Sequence, residues 1–418
     1  MLFANERAVR ARYPAELKSI LSVAKAEESR RWLATWSGIE PGPTPLYALD
    51  GLAESLGVAK ILLKDESVRS GLGSFKALGA PIALIHLIRR LWPGEGMDAQ
   101  HLFMGAHRSS LRDFTVITAT DGNHGKSLAA AARSAGCRCV IVLHANVRAE
   151  REETIAAFGA DIVRVEGNYD QSVAAAARLA KANGWHVVSD TSYDGYEEVP
   201  RDVMQGYSTI AAEVVEAVNT QAAPSITHVF LQGGVGGLAA AIVSYFWQVY
   251  EDKRPAFVIV EPRQADCLYQ SAVHGTAAKA SGSIDSVMAG LACGEASPLA
   301  WRFLESGADF FMTVEDEDAV RAMRLLARGS ATDAPILSGE SGGAGLAGLM
   351  RLMQDPALSS QAGLSRNSNV LVLSTEGATA PAIYRDLVGE PAESVLARQK
   401  MFLGGEAGHR ARSSAIAH

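Results

Sequence analysis

The most constraining feature of this sequence is the regular alternation of short β-rich runs with stretches of helical composition. Such alternation predicts parallel β-sheet covered by helices on both faces. Because the runs are too many for one ordinary sheet, we expect an α/β protein with two doubly wound, mostly parallel sheet domains. The predicted strands are 58–64, 114–120, 138–143, 161–165, 186–189, 227–232, 256–260, 310–314 and 369–374. The clearest predicted helices are 124–136, 149–159, 169–183, 201–219 and 236–250.

Composition narrows the class of protein. With 418 residues, 48% of them apolar, the chain can bury a large core. A net charge of -7 argues against a nucleic-acid partner, since such proteins usually present a basic face. No apolar run has the length of a membrane span, and the first residues lack the apolar core of a signal peptide. We therefore expect a cytoplasmic enzyme with no membrane or nucleic-acid partner.

The four cysteines, at 137, 139, 267 and 293, do not match the usual spacing of zinc ligands. No metal site is expected, and reduced thiols fit the cytosol. Whether Cys267 and Cys293 form a disulfide stays open.

Glycine-rich loops follow three of the strands, at the edge where parallel sheets bind ligands. The loop "QGGVGGLA", 232–239, comes directly after an apolar strand and opens a helix, so its backbone N–H groups could surround a phosphate. A tight turn needing positive φ is the plainer interpretation. A dinucleotide loop is a third, since Ala239 stands where that fingerprint ends and Glu261 ends a later strand.

A second loop, "TATDGNHGKS" at 118–127, resembles half of a nucleotide-binding loop. A P-loop would require glycine at Thr120, and Asp121 would repel a phosphate. The carboxylate of Asp121 must therefore have a role other than phosphate binding. The third loop is "SGESGGAGLAGL", 338–349, while 94–112 breaks the alternation and is expected to be a long loop or insertion.

Lys76, in "GSFKALGA", stands where a glycine-rich turn leads into a helix. A helix N-terminus disfavours an ammonium, so the pKa of this lysine should fall. A neutral amine is what Schiff-base chemistry needs. A solvated surface lysine is the ordinary alternative.

Five ordered blocks resemble the fold-type II pyridoxal-phosphate enzymes: "LKDES" with "GSFKALGA", "GNHG", "GGVGGLAA", "VEPRQA" and "ESGGAGLAGL". The resemblance covers roughly residues 40–390. It implies pyridoxal 5'-phosphate as cofactor, held in a cleft between two domains, and a homodimer. The implied large domain is 1–85 with 206–403, the small domain is 86–205, and 404–418 is a flexible tail.

The resemblance also implies roles for individual residues. Lys76 would bind the cofactor covalently, Asn123 would lie beside its 3′-oxygen, and Ser374 would face its pyridine nitrogen. The sequence "TEGA" after Ser374 departs from the "GGN" of many dehydratases, so Thr375 is a neighbour to test. The phosphate loop would consist of Gly233, Gly234, Val235, Gly236 and Gly237.

The acid before "GNHG" separates this chain from common dehydratases, where a small neutral residue precedes that motif. "ATDGNHG" and the block 190–207 resemble the branch of the family that eliminates ammonia from 2,3-diaminopropionate. The implied substrate residues are Thr120, Asp121 and Asp190. The implied catalytic residues are Lys76 for the L isomer, Asp121 for the D isomer, and Asp190. The implied products are pyruvate and two ammonia.

Three other functions remain open at this stage. A serine or threonine dehydratase would share Lys76 and the phosphate loop. A β-replacement enzyme such as cysteine synthase would hold its intermediate for a second substrate. A cofactor carrier without turnover belongs to a different class. Asp190 itself could be no more than a turn or N-cap residue, and His124 is expected to pack or cap.

Overall fold

The computed structural model describes residues 1–120, 122–145, 147, 149–167, 169–220 and 225–405. By internal contacts the chain forms two compact units. The first unit consists of 1–22, 43–68 and 210–418, and the second consists of 23–42 and 69–209.

The first unit contains a seven-stranded sheet in the order β1-β10-β9-β8-β11-β3-β2. Its edge strands β1 and β2 are antiparallel to their neighbours, and the other pairs are parallel. These strands are β1 (Leu2–Ala4), β2 (Leu46–Ala48), β3 (Lys60–Asp65), β8 (His228–Gln232), β9 (Ala256–Pro262), β10 (Phe310–Val314) and β11 (Asn369–Ser374).

The second unit contains a four-stranded, fully parallel sheet in the order β6-β5-β4-β7. Its strands are β4 (Thr115–Ala119), β5 (Arg138–His144), β6 (Asp161–Val165) and β7 (His186–Val187). A parallel strand needs a crossover, and helices of both units supply these connections.

The helices of the first unit are α1 (Ala15–Ile20), α3 (Asp50–Leu56), α11 (Gly237–Tyr250), α12 (Cys267–His274), α13 (Pro298–Gly307), α14 (Asp316–Arg328), α15 (Ala344–Met353), α16 (Pro356–Gln361), α17 (Pro381–Val388) and α18 (Ala392–Gly404). Those of the second are α2 (Val23–Leu33), α4 (Ala80–Leu91), α5 (Ala99–Phe103), α6 (Arg108–Leu111), α7 (Asn123–Ala135), α8 (Ala149–Ala156) and α9 (Tyr169–Asn183). Helix α10 (Glu198–Thr220) runs from the second unit into the first. None of the described helices is long and apolar enough to cross a membrane.

All nine predicted strands are present, within a few residues of their expected bounds. The prediction missed β1 and β2, which have three residues each and pair only through tertiary structure. The segment 94–112, expected to be a long loop or insertion, contains the short helices α5 and α6. Asp98 caps α5 by accepting hydrogen bonds from the backbone amides of Gln100 and His101.

Each sheet packs its own apolar core. In the second unit Ile117, Val140 and Val142 pack against alanines of α9. In the first unit the central strands pack against α15, whose small residues allow close approach. At Gly348 of α15, for example, an added Cβ would lie 2.7 Å from a methyl group of Val260. The alanine and glycine content of these helices therefore serves tight helix-on-sheet packing.

The two compact units divide the chain differently from the predicted domains. Residues 23–42 and 69–85 belong to the second unit, whereas the sequence analysis placed them in the large domain. Helix α4 packs against α2 and α7, which explains where these segments belong. Of the expected tail, residues 406–418 lie outside the described residues.

Candidate active site

Lys76 lies in a short 3-10 turn, Phe75–Leu78, directly before helix α4. Ser127, in the first turns of α7, donates a hydrogen bond of 2.7 Å from Oγ to the carbonyl oxygen of Lys76. The lysine backbone is therefore tied to the helix that follows the "TATDGNHGKS" loop. The predicted helix start at Lys76 is present as this tighter turn.

Helix α10 contacts the lysine turn at backbone distance. A Cβ added at Gly206 would lie 2.1 Å from the carbonyl oxygen of Leu78. A Cβ added at Gly79 would lie 2.4 Å from the ring of Tyr207. Only glycine allows this approach at either position, so the backbone that follows Lys76 is packed closely against α10.

The side chain of Lys76 forms an ion pair with Asp190, with Nζ 2.5 Å from Oδ2. Both side chains are largely buried, at 20% and 17% exposure. The rings of Phe75 and Tyr207 lie beside the ammonium, with centroids 5.2 and 5.7 Å from Nζ. The carboxylate and the ring faces stabilise a cation. The sequence analysis expected a neutral amine, whereas this cluster favours the charged form.

The charge of Asp190 depends on that partner. Burial alone would raise the pKa of the carboxyl group, but the charge of the Lys76 ammonium, its hydrogen bond and a backbone hydrogen bond act together against burial, and the pKa of Asp190 lies well below its ordinary value. Asp190 is therefore an ionised, buried carboxylate just beyond the end of β7, and it is more than a turn residue.

Tyr196 fixes the backbone that carries Asp190. Its hydroxyl donates a hydrogen bond of 2.9 Å to the carbonyl oxygen of Val187 and accepts one of 3.0 Å from the amide of Ser189. The ring of Tyr196 stacks on that of Tyr193 with centroids 4.7 Å apart. This support was not predicted, because only the fold brings the tyrosine hydroxyl to the end of β7.

His124 packs beside the ion pair, with 5% of its surface exposed. Its Nε2 lies 2.8 Å from the carbonyl oxygen of Val188. A carbonyl can only accept, so Nε2 carries the hydrogen. The other nitrogen, Nδ1, lies 3.8 Å from Oδ2 of Asp190 and has no hydrogen-bond partner among the described residues. Burial lowers the pKa of His124, so the ring is neutral.

The loop before α7 uses Thr120 to order its backbone. Oγ1 of Thr120 accepts hydrogen bonds from the amides of Gly122 and Gly125, at 3.1 and 3.2 Å. Asn123 is the first residue of α7. Asp121 lies outside the described residues. The predicted roles of these three residues therefore stay predictions.

In the first unit, the glycine loop joins β8 to α11. Gly234 and Gly236 have φ of 63° and 99°, which only glycine adopts readily. Within the described part of the chain, the backbone amides of Gly234, Val235 and Gly237 donate to no carbonyl or side chain. These amides stand at the positive end of α11, an arrangement suited to a phosphate.

Glu261, at the end region of β9, lies directly beneath this loop. A Cβ at Gly233 would lie 2.5 Å from its side chain. The carboxyl group accepts hydrogen bonds of 2.9 and 2.7 Å from the amides of Leu268 and Tyr269 at the start of α12. Burial raises the pKa of Glu261 to about 8. The hydrogen bonds of Glu261 to the start of α12 explain why an acid stands at this position. Glu261 is therefore not needed as the ribose ligand that a dinucleotide loop requires.

Two cysteines flank the same loop. Sγ of Cys267 lies 3.4 Å from the carbonyl oxygen of Gly234. A Cβ at Gly234 would lie 3.7 Å from Sγ of Cys293. All four cysteines are free thiols. In the described part of the chain, no group of three or more His, Cys, Asp or Glu side chains could hold a metal ion.

Ser374, the last residue of β11, is fully buried, and its Oγ lies 3.0 Å from Oγ of Ser338. The third glycine loop is fixed beside it, because Glu376 accepts a hydrogen bond of 3.2 Å from the amide of Ser341. Gln232 donates to the carbonyl oxygens of Gly342 and Leu373 at 2.8 Å each. A neutral hydroxyl thus stands at the strand end, in a loop held by buried polar contacts.

Each unit therefore contributes a distinct part of the predicted chemistry. The second unit joins Lys76 to Asp190, and the first provides the cradle of amides and the buried hydroxyl of Ser374. A reactive lysine, a phosphate cradle and a neutral hydroxyl are the groups that pyridoxal phosphate needs, so the residues fit this cofactor. Sequence reasoning missed Ser127 and Ser338, whose partners lie 51 and 36 residues away in the chain.

Comparison with known proteins agrees with this assignment. The profile of the family described as pyridoxal-phosphate dependent enzyme matches residues 39–376. Diaminopropionate ammonia-lyase of Escherichia coli (strain K12) is 38% identical over 384 residues, 91% of this chain and 95% of that protein.

Solved structures give the same relatives. The crystal structure of holo diaminopropionate ammonia-lyase from Escherichia coli has a TM-score of 0.85 at 36% identity, covering 93% of this chain and 96% of the other. The same enzyme in complex with D-serine has a TM-score of 0.83 at 36% identity, with the same coverage. The chain therefore belongs to the pyridoxal-phosphate dependent enzymes and, within them, to the family of the diaminopropionate ammonia-lyases.

Proposed function

We propose that the protein eliminates ammonia from 2,3-diaminopropionate and releases pyruvate and a second ammonia after addition of one water. The observation that carries this proposal is the ion pair of Lys76 with Asp190, in a chain 38% identical to diaminopropionate ammonia-lyase over 91% of its length. When bound, pyridoxal phosphate supplies an electron sink that stabilises negative charge at the Cα of an attached amino acid.

Lys76 and Asp190 divide the work on an L substrate. Lys76, once neutral, removes the proton from Cα of the L isomer. Asp190 lies at the same place, and an oxygen of its carboxyl group would accept a hydrogen bond from the substrate's β-ammonium. The β-nitrogen then departs as ammonia when the Cβ–N bond breaks. The rings of Phe75 and Tyr207 lie 5.2 and 5.7 Å from Nζ and favour the charged form of Lys76.

Each unit contains residues with a predicted role toward the cofactor. The amides of Gly234, Val235 and Gly237 would hold the phosphate, with Gly233 and Gly236 shaping the loop. Asn123 would lie near the 3′-oxygen. The hydroxyl of Ser374, fixed by Ser338, would face the pyridine nitrogen without giving it a full charge, which suits elimination over transamination.

Asp121 provides the second base in this proposal. A D substrate presents its Cα proton on the opposite face from Lys76, so another group must remove it. In the sequence Asp121 directly follows Thr120 and one residue separates it from Asn123, and no other predicted site residue explains activity on both isomers.

The test is release of keto acid from separate D- and L-diaminopropionate, L-serine, D-serine and L-threonine, with added cofactor. Pyruvate is measured through lactate dehydrogenase, and 2-oxobutyrate is measured for threonine. Turnover of both diaminopropionate isomers with slow serine is the expected result. A preference for serine or threonine would assign the protein to the dehydratases, the second candidate.

Asp121→Asn should remove turnover of the D isomer, by about 10²-fold or more, and leave that of the L isomer within a few-fold. The measurement is kcat/KM on each isomer. Asp113→Asn, an exposed carboxylate in the same unit, is the matched control. Equal losses on both isomers would refute the two-base proposal.

We further propose a cytoplasmic homodimer. Four free thiols support the compartment, and the family resemblance supports the dimer. Sedimentation of the purified holoenzyme tests the assembly, where a mass near 44.2 kDa would contradict it.

A further inference from the structure

Nδ1 of His124 and Oδ2 of Asp190 are arranged so that they can share one proton. Nδ1 of the neutral imidazole can only accept a hydrogen bond, and the carboxylate can only accept as well. Nδ1 of His124 is buried, the side chain of Asp190 is 17% exposed, and Nδ1 lies 3.8 Å from Oδ2 of Asp190. Oδ2 accepts a hydrogen bond from Lys76, but the two facing acceptors gain nothing from each other unless a proton lies between them. The pair is thus built to bind one.

Among the described residues, the side chains of Lys76, Asp190 and His124 together carry no net charge. Lys76 carries one positive charge, Asp190 one negative charge, and His124 none. Tyr196 and Tyr207 also face the cluster, and burial raises the pKa of both phenols, so they stay neutral. Lys126, in the first turns of α7, is also cationic, and its side chain is buried. Of these groups, Asp190 and Lys76 are the charges that act on His124.

This balance conflicts with the chemistry of Lys76. On the proposed function, on which the inference rests, the lysine must lose a proton before it can react as an amine or as a base. Loss of that proton to solvent would leave a buried carboxylate without a cation, which is costly. A proton acceptor inside the cluster removes this cost, because the net charge stays at zero.

We propose that His124 is a positioning residue which, with Asp190, receives the proton that Lys76 gives up. The N–H bond of the ammonium that faces Asp190 breaks, and an O–H bond forms at Oδ2 of Asp190. That hydroxyl then donates a hydrogen bond to Nδ1 of His124, and the two side chains close the present 3.8 Å gap. The products are a neutral Lys76 amine and a neutral, hydrogen-bonded Asp190–His124 pair.

Three features make His124 suited to this role. Its Nε2 is anchored on the carbonyl oxygen of Val188 at 2.8 Å, so the ring keeps Nδ1 directed at Asp190. Val188 lies between β7 and Asp190, so both partners are fixed by the same backbone segment. Tyr196 holds this segment through Val187 and Ser189. The geometry therefore needs only a small side-chain movement.

The test follows attachment of pyridoxal phosphate to Lys76 as a function of pH. The full-length chain is stripped of cofactor, mixed with pyridoxal phosphate and reduced with borohydride, and the Lys76 peptide is quantified by mass spectrometry. In His124→Phe the midpoint should rise by about one pH unit, the effect of one hydrogen bond. An unchanged midpoint would overturn the proposal. His124→Asn, which keeps an acceptor oxygen, should fall between the two proteins.

Coupling with Asp190 separates this role from a merely structural one. In an Asp190→Asn background, His124→Phe should no longer move the midpoint, because the proton-receiving carboxylate is absent. Equal shifts in both backgrounds would contradict a shared proton. His228→Phe is the matched control, since His228 is also buried and bonds a backbone carbonyl, that of Ala362 at 3.0 Å, in the other unit.

A measurement on the unmodified chain covers variants that fail to fold. With ¹⁵N-labelled histidine, Nδ1 of His124 should move toward the protonated range when pyridoxal phosphate occupies Lys76. A resonance that stays at the bare acceptor position would refute the proposal. Neither measurement uses diaminopropionate, so a failure of the proposed substrate leaves this test intact and distinguishable.

Discussion

Two buried carboxyl groups stand near strand ends, one in each unit, and they differ in charge. Asp190, beyond β7, faces the ammonium of Lys76 at 2.5 Å, and its pKa lies well below the ordinary value. Glu261, in β9, faces the amides of Leu268 and Tyr269 and the thiol of Cys267, and burial raises its pKa to about 8.

The difference shows that burial alone does not decide the state of a carboxyl group. Desolvation raises the pKa of both groups, but only Asp190 has a cation to outweigh it. The carboxyl group of Glu261 is suited to holding the start of α12 beside the glycine loop. Asp190 is suited to exchanging a proton with Lys76. On the proposed function, Asp190 is the carboxyl group whose partner, Lys76, takes part in the reaction.

Of all the changes considered, removing the ammonium of Lys76 should have the largest effect on the difference between Asp190 and Glu261. Lys76→Ala should lose activity by about 10³-fold or more, since base and cofactor attachment disappear together. Without the ammonium, Asp190 becomes a buried carboxyl group like Glu261, and its pKa should rise. Its stabilising contribution should then be present at low pH and be lost as the pH rises, the reverse of the wild-type sign. Thermal unfolding between pH 2 and 8 covers both the wild-type loss below about pH 5 and the variant's loss at higher pH; an unchanged pH dependence would contradict the pairing.

Removing the anion should have the next largest effect. Asp190→Asn keeps the shape of the side chain but loses the charge, and kcat/KM should fall by about 10²-fold on both diaminopropionate isomers. Asp161→Asn is the control, because Asp161 is an exposed carboxylate in the same unit that pairs with Arg138. Turnover within a few-fold of wild type would return Asp190 to the role of a turn residue.

Changing Glu261 should affect stability rather than chemistry. A folded pKa of about 8 lies above the ordinary 4.5, so the protonated group contributes fully below 4.5 and its contribution is lost as the pH rises toward 8. Within this window wild type should lose at most about 1.4 kcal/mol of unfolding free energy per pH unit.

Glu261→Gln should remove that slope. The variant should be less stable at low pH, because its amide cannot accept from both Leu268 and Tyr269. The measurement is urea unfolding at pH 5, 7 and 9, and the slope with pH is the quantity compared. A slope equal to that of wild type would show that Glu261 does not titrate in this window.

The fold was predictable where the apolar pattern of a few neighbouring residues identifies a strand or a helix. Continuous apolar runs such as "FVIV" before Glu261 mark buried parallel strands whatever their neighbours are. The edge strands β1 and β2 were not predictable, because three residues carry no pattern. The partner of β1, strand β10, also lies about 300 residues away in the chain. The short helices after Asp98 were missed because neither is long enough to show a period.

The site was predictable as a set of residues but less so as a set of contacts. Lys76, Asp190 and the glycine loop follow from motifs and strand ends. That Lys76 pairs with a residue 114 positions later depends on the fold of the second unit. The same holds for Tyr196, Ser127 and Ser338, which act by holding others in place. Their residue types are ordinary, so only geometry reveals their function.

The close contact of α10 with the lysine turn has a consequence for how this enzyme can change. At Gly206 and Gly79 even one added methyl group meets backbone or a packed ring. Directed evolution at these two positions should therefore yield almost no functional variants. New substrate preferences must arise instead in side chains that reach the cluster from loops, such as the segment carrying Tyr193, which is 45% exposed. The part that holds the reactive amine is closed to variation, and diversity is confined to what surrounds it.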